Sequence, residues 1–518
     1  MTQDPSAPPL PRSPSAAVGI PAASVLGVLD ELDARGLELH SLMVVRHGSV
    51  AAQGWWAPYS PDRVHLLYSL SKSFTSSAVA FAVAEGLCSL TDLVVDLLPD
   101  HVPADLDDRV AALTLHDVLS MSTGHREDTL DRAYALEPHD VAKGFLRLRP
   151  DDPIGSRHAY NNACTYVAGL VVQERSGQFL LDYLRPRLLE PLGIRPGRWD
   201  ADAGGRALGF SGLHQRTHDI ARFGQLLLQR GRWQGEQLLP AGWVELATGR
   251  HVDNRDPGGN ADWSQGYGYQ YWRSRHGYRG DGAFGQFCVV VPEADLVIAT
   301  TGCTEDMQAV LDVFWDVLLP GLDTVQVGEA GEAGEAAAQL QLTDRLEALA
   351  LPVVTGTLEA AAAPRQPVTF TVEPGPTGPY ASPIPAGSWS PDGPLAPGAS
   401  LTVSPGAPDA PDAPDGDTLL DLVLGDVTLR VPCGRGRWAE GRLGSAPGVA
   451  RGPRALSPMP PTPVVCRGGW TTAETFEADL VLIETPHRIR LTGTGSVLQA
   501  TWNVAPLAGR RLEAHLPW

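Results

Sequence analysis

The chain contains two lysines, Lys72 and Lys143; every other basic side chain is Arg or His. A sequence that otherwise uses Arg should keep Lys where Arg cannot substitute. Arg stays protonated, whereas a buried Lys can lose its proton and act as a base. Lys72 lies in LLYSLSKSF, so Ser69 and Lys72 form S-x-x-K. If a helix starts at Ser69, the two side chains share one face. The hydroxyl then sits at a helix N-terminus, where the dipole and free N–H groups favour developing negative charge. The stretch Ser71–Leu87 is apolar almost all round, which predicts a buried helix. Burial would desolvate Lys72 and lower its pKa, giving the chemistry of a Ser–Lys nucleophile. S-x-x-K alone occurs by chance in a chain of this size; its placement and the scarcity of Lys give it weight.

A second element lies about ninety residues on. Tyr160-Asn161-Asn162 stands just ahead of a predicted helix, Ala163–Gly177. Tyr160 offers a second proton carrier, and Asn162 an amide able to bind both Lys72 and a substrate carbonyl. The bland alternative makes Tyr160 a half-buried aromatic and Asn162 a helix cap.

Ser69-x-x-Lys72 followed by Tyr160-x-Asn162 resembles the class C β-lactamase and penicillin-binding serine hydrolase superfamily, which includes family VIII esterases, D-aminopeptidases and 6-aminohexanoate-dimer hydrolases. The flanking stretches HSLMVVRHGSVAAQGWW, LTLHDVLSMSTG, THDIARFGQLLLQRGRW and QGYGYQYW agree, and the resemblance covers roughly residues 18–322. It implies an α+β fold of the β-lactamase/DD-peptidase kind: a helical subdomain against an antiparallel sheet, with the nucleophile between them. It also implies that Ser69 is acylated while Lys72 and Tyr160 together take and return the proton, with the formal base left open.

The third family element departs from the pattern. The superfamily places K-T-G or H-x-G on an inner strand beside the nucleophile; here the strand reads YRGDGAFGQFCVVVPEADLV. Its best match is Gly280-Asp281-Gly282, with no cation at the first position, and sliding back to Gly277-Tyr278-Arg279 is no better. The ending Gly285-Gln286 resembles the 6-aminohexanoate-dimer hydrolase side. A Gly-rich strand lets a substrate approach the backbone, so Arg279, Gly280, Asp281 and Gly282 are candidate substrate-binding residues. The N–H groups of Ser69 and Ala283 are candidates for the oxyanion hole. Arg279 could partly replace the missing cation. Asp281 could steer a substrate amine or shape a turn, the turn being favoured.

The surrounding elements follow from periodicity. Ser24–Leu37 has helical spacing with Ser24 as a cap, and His40–Trp56 reads as two strands around His47-Gly48. Thr114–Gly124 and Thr217–Gly231 are further helices, Ala283–Gly302 a strand pair turning at Pro292–Asp295, and Met307–Leu322 a long amphipathic helix. The expected organisation is a disordered tail (1–17), the hydrolase domain (18–322), an acidic linker (323–339) and a C-terminal all-β domain (340–518). That last part includes a mobile Pro/Gly/Asp-rich insertion near 375–417. Strand count suggests a lipocalin-like barrel or a sandwich.

Composition closes other doors. The chain has 518 residues, 43% of them hydrophobic and 19% charged, with formal net charge −20, which argues against nucleic acid or an anionic membrane as partner. No apolar run is long enough to span a bilayer. No basic and then apolar leader is seen, and the six widely spaced cysteines form no C-x-x-C, so buried thiols in the cytoplasm are expected. His214 and His218 stand four apart without a third ligand nearby, which favours a surface or capping role over metal. Trp55, Trp56, Trp263 and Trp272 could line a pocket but are more simply core. No metal or organic cofactor is expected.

These observations point to a serine hydrolase acting on a small ester or amide. The alternatives are β-lactamase or D-aminopeptidase-type activity, or a catalytically poor binding protein using the same cleft. The C-terminal module could cover the cleft, bind a partner or mediate a homodimer.

Overall fold

The computed structural model describes the chain except residues 1–8, 196, 256–257, 326–328, 353, 355, 357–363, 365, 374–392, 406–416, 445–460 and 517–518. Two compact units meet in sequence at Leu349/Ala350.

The first unit is built on a six-stranded sheet. Its strands are β1 (Leu39–Arg46), β2 (Ser49–Trp55), β3 (Trp272–Arg273), β4 (Tyr278–Gly282), β5 (Gln286–Val291) and β6 (Leu296–Gly302). Their order across the sheet is β2-β1-β6-β5-β4-β3, with every pairing antiparallel. β1, β5 and β6 are buried along their whole length, so their near-continuous Val/Ile/Leu runs face apolar surroundings on both sides. The main helices are α1 (Ala22–Ala34), α2 (Ser71–Ala84), α3 (Asn162–Ser176), α4 (Thr217–Leu228) and α5 (Glu329–Glu347). Phe74 of α2 stacks on Phe223 of α4, ring centroids 4.2 Å apart and both fully buried. Burying each such ring stabilises by about 2–3 kcal/mol. This packing fixes α2, which carries Lys72.

Several local expectations are corrected. Residues 9–17 are not a loose tail: Val50 N–H donates to Pro11 carbonyl (2.7 Å), and Ser15–Val18 form a 3₁₀ turn; residues 1–8 lie outside the described part. Helix α1 starts at Ala22, so Ser24 is not its cap. The helix expected over Thr114–Gly124 spans only Leu115–Leu119, closed at its start by a Thr114/Asp117 capping box. The helix after Met307 changes from α to π at Phe314 and to 3₁₀ at Leu319.

The acidic stretch expected as a linker is mostly α5, and α5 packs on α1. Glu335 accepts a 2.7 Å hydrogen bond from the Ala22 N–H, one of the unpaired donors at the start of α1. Gln339 accepts from Ser15 N–H at 3.1 Å. These tertiary contacts override the weak intrinsic helix preference of a Gly-containing sequence.

The second unit is all β. Its strands are β7 (Val368–Thr371), β8 (Ser400–Pro405), β9 (Thr418–Leu424), β10 (Val427–Cys433), β11 (Ala439–Leu443), β12 (Thr462–Trp470), β13 (Thr475–Val481), β14 (Arg488–Thr494) and β15 (Val497–Trp502). They form one sheet ordered β10-β9-β8-β7-β15-β14-β13-β12-β11. All pairings are antiparallel except β7 with β15. β10 at one end meets β11 and β12 at the other, Gly434 bridging Arg467 of β12 in parallel, so the sheet curls into a barrel-like form. Alternate residues of β8 and β9 point into a core holding Phe370, Leu401, Phe476 and Ile489. Part of the expected insertion, Ser400–Pro405, is thus a regular strand; residues 374–392 and 406–416 lie outside the described part. No helix among the described residues is long and apolar enough to cross a membrane.

Candidate active site

Ser69 lies in a single 3₁₀ turn, Tyr68–Leu70, that runs directly into α2. Tyr68 has φ +47°, a left-handed conformation uncommon outside glycine, held by its surroundings. Ser71 Oγ donates to Tyr68 carbonyl (2.6 Å) and accepts from Leu213 N–H (3.1 Å), while Leu67 N–H donates to Leu213 carbonyl (2.8 Å). These bonds set the direction in which Ser69 leaves the turn. Ser69 itself is half-buried, within reach of a ligand, while Lys72 is 1% exposed.

The structure brings Ser69, Lys72, Tyr160 and Asn162 together. Lys72 Nζ donates to Ser69 Oγ at 2.9 Å, to Asn162 Oδ1 at 2.6 Å and to the Phe210 carbonyl at 2.9 Å. Burial lowers the Lys72 pKa to about 7, against the opposing pull of Asp128 and Asp281. Lys72 Nζ also lies 4.8 Å from the centre of the Tyr160 ring. Burial pushes the Tyr160 phenol well above its ordinary pKa, aided by Asp281 and opposed by a hydrogen bond with Ser69. Tyr160 therefore remains a phenol, able to donate.

Asn162 is not the helix cap. Asn161 caps α3, its side chain accepting from Ala163 N–H at 3.1 Å, and Asn162 is the first helical residue. Its amide is fixed at both ends, because Nδ2 donates to Asp128 Oδ2 at 2.5 Å. Asp128 Oδ1 also accepts from Asn162 N–H at 3.0 Å.

Strand β4 packs against the nucleophile turn through its glycines. A Cβ on Gly282 would lie 2.0 Å from Leu67 carbonyl oxygen and 3.1 Å from Leu70 nitrogen. One on Gly280 would lie 2.4 Å from Ser73 Oγ. The Gly-x-Gly spacing is thus explained by close packing on residues 67–73, rather than by room for a substrate as the sequence suggested. Ala283, directly after β4, is brought alongside the Ser69 turn, where its N–H and that of Ser69 are the candidate oxyanion donors. Gln286 braces it: Nε2 donates to the carbonyls of Ala283 (2.9 Å) and Gly302 (2.8 Å).

On the other side of β4, Arg279 and Asp281 form a buried ion pair, Nε to Oδ2 at 2.9 Å. Arg279 is fully buried, donating also to Ser274 Oγ (2.6 Å) and Asp262 carbonyl (2.8 Å), with its guanidinium 4.2 Å from the Trp263 ring. Its Nε and Nη1 are held in the wall of the site, while Nη2 is buried without a hydrogen-bond partner. Asp281 is its counter-ion, not part of a turn.

Trp272 stacks on Tyr160, centroids 5.4 Å apart and planes 17° apart. Trp263 and Trp272 thus belong to this site, whereas Trp55 packs on His218 at 5.0 Å. His214 is buried, not at the surface: Nε2 accepts from Arg198 at 2.7 Å, and burial drives its pKa well down. Among the described residues, no group of three or more His, Cys, Asp or Glu could hold a metal.

Two contributors had no motif to announce them. Asp128 sits in a loop and acts through Asn162. Phe210 acts through its main-chain carbonyl, aimed at Lys72 by a loop that Thr75 Oγ1 anchors at Gly209 carbonyl (2.8 Å).

Comparison with known proteins gives a family match and several relatives. Residues 28–302 match the Beta-lactamase family. A 6-aminohexanoate-dimer hydrolase of Paenarthrobacter ureafaciens is 27% identical over 279 residues, spanning 50% of this chain and 71% of that protein. A solved structure from Bacillus anthracis, of a protein proposed to be a 6-aminohexanoate-dimer hydrolase, superposes with TM-score 0.51 at 18% identity, covering 61% of this chain and 89% of its own. A penicillin-binding protein homologue from Caulobacter crescentus gives TM-score 0.47 at 20% identity, over 57% and 97% of the two chains.

Proposed function

Because the chain belongs to the beta-lactamase family, as a serine hydrolase of the esterase/amidase type, we propose that it cleaves a small ester or amide through an acyl-enzyme on Ser69. The observation that carries this reading is the 2.9 Å contact between Ser69 Oγ and a lysine whose pKa is lowered to about 7. When Lys72 loses a proton its two remaining N–H groups keep Asn162 and Phe210 and its lone pair accepts from the Ser69 hydroxyl, poised to act as base.

Ser69 Oγ attacks the carbonyl carbon as its proton passes to Lys72 Nζ. The carbonyl π pair moves onto oxygen, which the N–H groups of Ser69 and Ala283 hold. Collapse expels the alcohol or amine, which takes a proton from Lys72 by way of the Tyr160 hydroxyl. Water then attacks the ester on Ser69 and the same groups return the proton. Lys72 serves as base because Tyr160, its pKa raised by burial, is protonated and acts as relay. Asn162 orients Lys72 and donates no proton.

Linear esters and amides are favoured over β-lactams. The third motif lacks the cation that would meet a β-lactam carboxylate, and the charge of Arg279 is largely balanced by Asp281. The amide branch is supported by the relative whose name specifies 6-aminohexanoate-dimer hydrolysis. The test is a panel of p-nitrophenyl esters, linear ω-aminoacyl amides and nitrocefin, run on wild type and Ser69→Ala. Turnover of esters or linear amides, lost in the variant, supports the proposal. Turnover of nitrocefin alone would move the reading to β-lactam hydrolysis.

A further inference from the structure

We propose that Cys433 and Cys466 form a redox site, joining as a disulfide across the line where the barrel-like sheet of the second unit closes. Cys433 ends β10 and Cys466 lies within β12. The residues that follow them, Gly434 and Arg467, form a parallel bridge between the end of β10 and β12, the strand next to the other end of the sheet. Gly434 N–H donates to Cys466 carbonyl at 3.2 Å, and Gly468 N–H to Gly434 carbonyl at 3.1 Å. These contacts bring the end of β10 against β12 next to Cys466, whose register partner on that edge is Ala439 of β11. Cys433 is thereby set beside Cys466, and both residues are 0% exposed. A disulfide needs Cα atoms roughly 4.4–6.8 Å apart, the range that neighbouring strands of one sheet span.

The reaction is thiol–disulfide exchange with a small-molecule disulfide. Two Cys–SH and one R–S–S–R give Cys433–S–S–Cys466 and two R–SH, the two electrons and two protons passing to the leaving thiols. The attacking species is a thiolate, and burial disfavours it at Cys466 in the closed barrel. Oxidation therefore proceeds while the seam is open, during folding or transient separation of β10 from β12. Once formed, the bond links positions 33 residues apart in the sequence, a loop long enough for the cross-link to restrict the unfolded chain substantially.

The other four cysteines, Cys88, Cys164, Cys288 and Cys303, are buried in the first unit, none of them in a disulfide. They provide an internal count. Full-length protein is refolded from urea in glutathione buffers of graded redox ratio, quenched in acid, then denatured and alkylated with N-ethylmaleimide for intact mass and peptide mapping. Native protein held in the same buffers for days is counted in parallel, so the result does not depend on refolding yield. The expected result in the oxidising buffers is loss of two of the six alkylatable thiols, with one cross-linked peptide pair containing Cys433 and Cys466. The second unit should also melt roughly 5–10 °C higher than when reduced. Cys433→Ser should abolish the cross-link and the shift. Six alkylatable thiols at every ratio by both routes, or a cross-link that leaves Cys433 and Cys466 free, would overturn the proposal.

Discussion

Asp128 Oδ2 accepts a 2.5 Å hydrogen bond from Asn162 Nδ2, and that contact decides which end of the amide faces Lys72. With the nitrogen committed to a carboxylate, the oxygen must face the amine, where it accepts at 2.6 Å. A surface-exposed acid thus controls a buried base through one intermediary.

Asp128→Asn breaks this logic in two ways. The amide of Asn162 loses its fixed orientation, and Lys72 loses a charge that raises its pKa. Acylation should slow by about tenfold, the scale of losing one charge-assisted hydrogen bond. The acidic limb of the pH–kcat/KM profile should also move below that of wild type. A slower enzyme with an unmoved limb would leave Asp128 a structural role only.

Wild-type kcat/KM should rise with pH through about 7, as Lys72 loses its proton. Lys72→Arg keeps the charge and cannot deprotonate in this range. It should lose roughly 10²–10⁴-fold in acylation at every pH. Stopped-flow acylation with a p-nitrophenyl ester measures both.

The same lysine costs stability. Its folded-state pKa, about 7, lies below the unfolded value of 10.5. Below about pH 7 both states bind the proton and the folded state carries the whole burial penalty. Between 7 and 10.5 the unfolded chain holds a proton the folded chain lacks, so this group makes stability rise with pH; above 10.5 the penalty is gone. Lys72→Met should flatten that rise, by an amount on the order of a few kcal/mol between pH 6 and 10. Urea unfolding of both proteins at the two pH values gives the difference.

Gly282 should accept no side chain, since its Cβ would meet the Leu67 carbonyl oxygen at 2.0 Å. Gly282→Ala should shift β4 away from the Ser69 turn, lowering kcat/KM by tenfold or more together with the melting temperature. Gly334, exposed on α5 with nothing within 4 Å of a Cβ, is the counterpart. Gly334→Ala should stabilise by about 0.5–1 kcal/mol with activity unchanged, as thermal melts and ester turnover will show.

Ser69, Lys72, Tyr160 and Asn162 could be picked out of the sequence because their relation is local: one helical turn in the first pair, one helix start in the second. Antiparallel strands around Pro292–Asp295 were readable from alternation and turn residues. The role of Gly280 and Gly282 was not, because what a glycine faces depends on a segment two hundred residues away. For Arg279 the sequence shows the charge but not its ion pair with Asp281. The Phe210 carbonyl carries no side-chain signature at all, and α5 was hidden because its stability comes from α1 rather than from its own composition.

The central claim is that Ser69 is an activated nucleophile. Intact mass after incubation with a fluorophosphonate probe tests it most directly, comparing wild type with Ser69→Ala and Lys72→Met. The account predicts one adduct on wild type, mapped to Ser69, absent from Ser69→Ala and slowed at least a hundredfold in Lys72→Met. A folded wild-type protein that takes up no adduct, or one labelled equally well without Ser69, would contradict it.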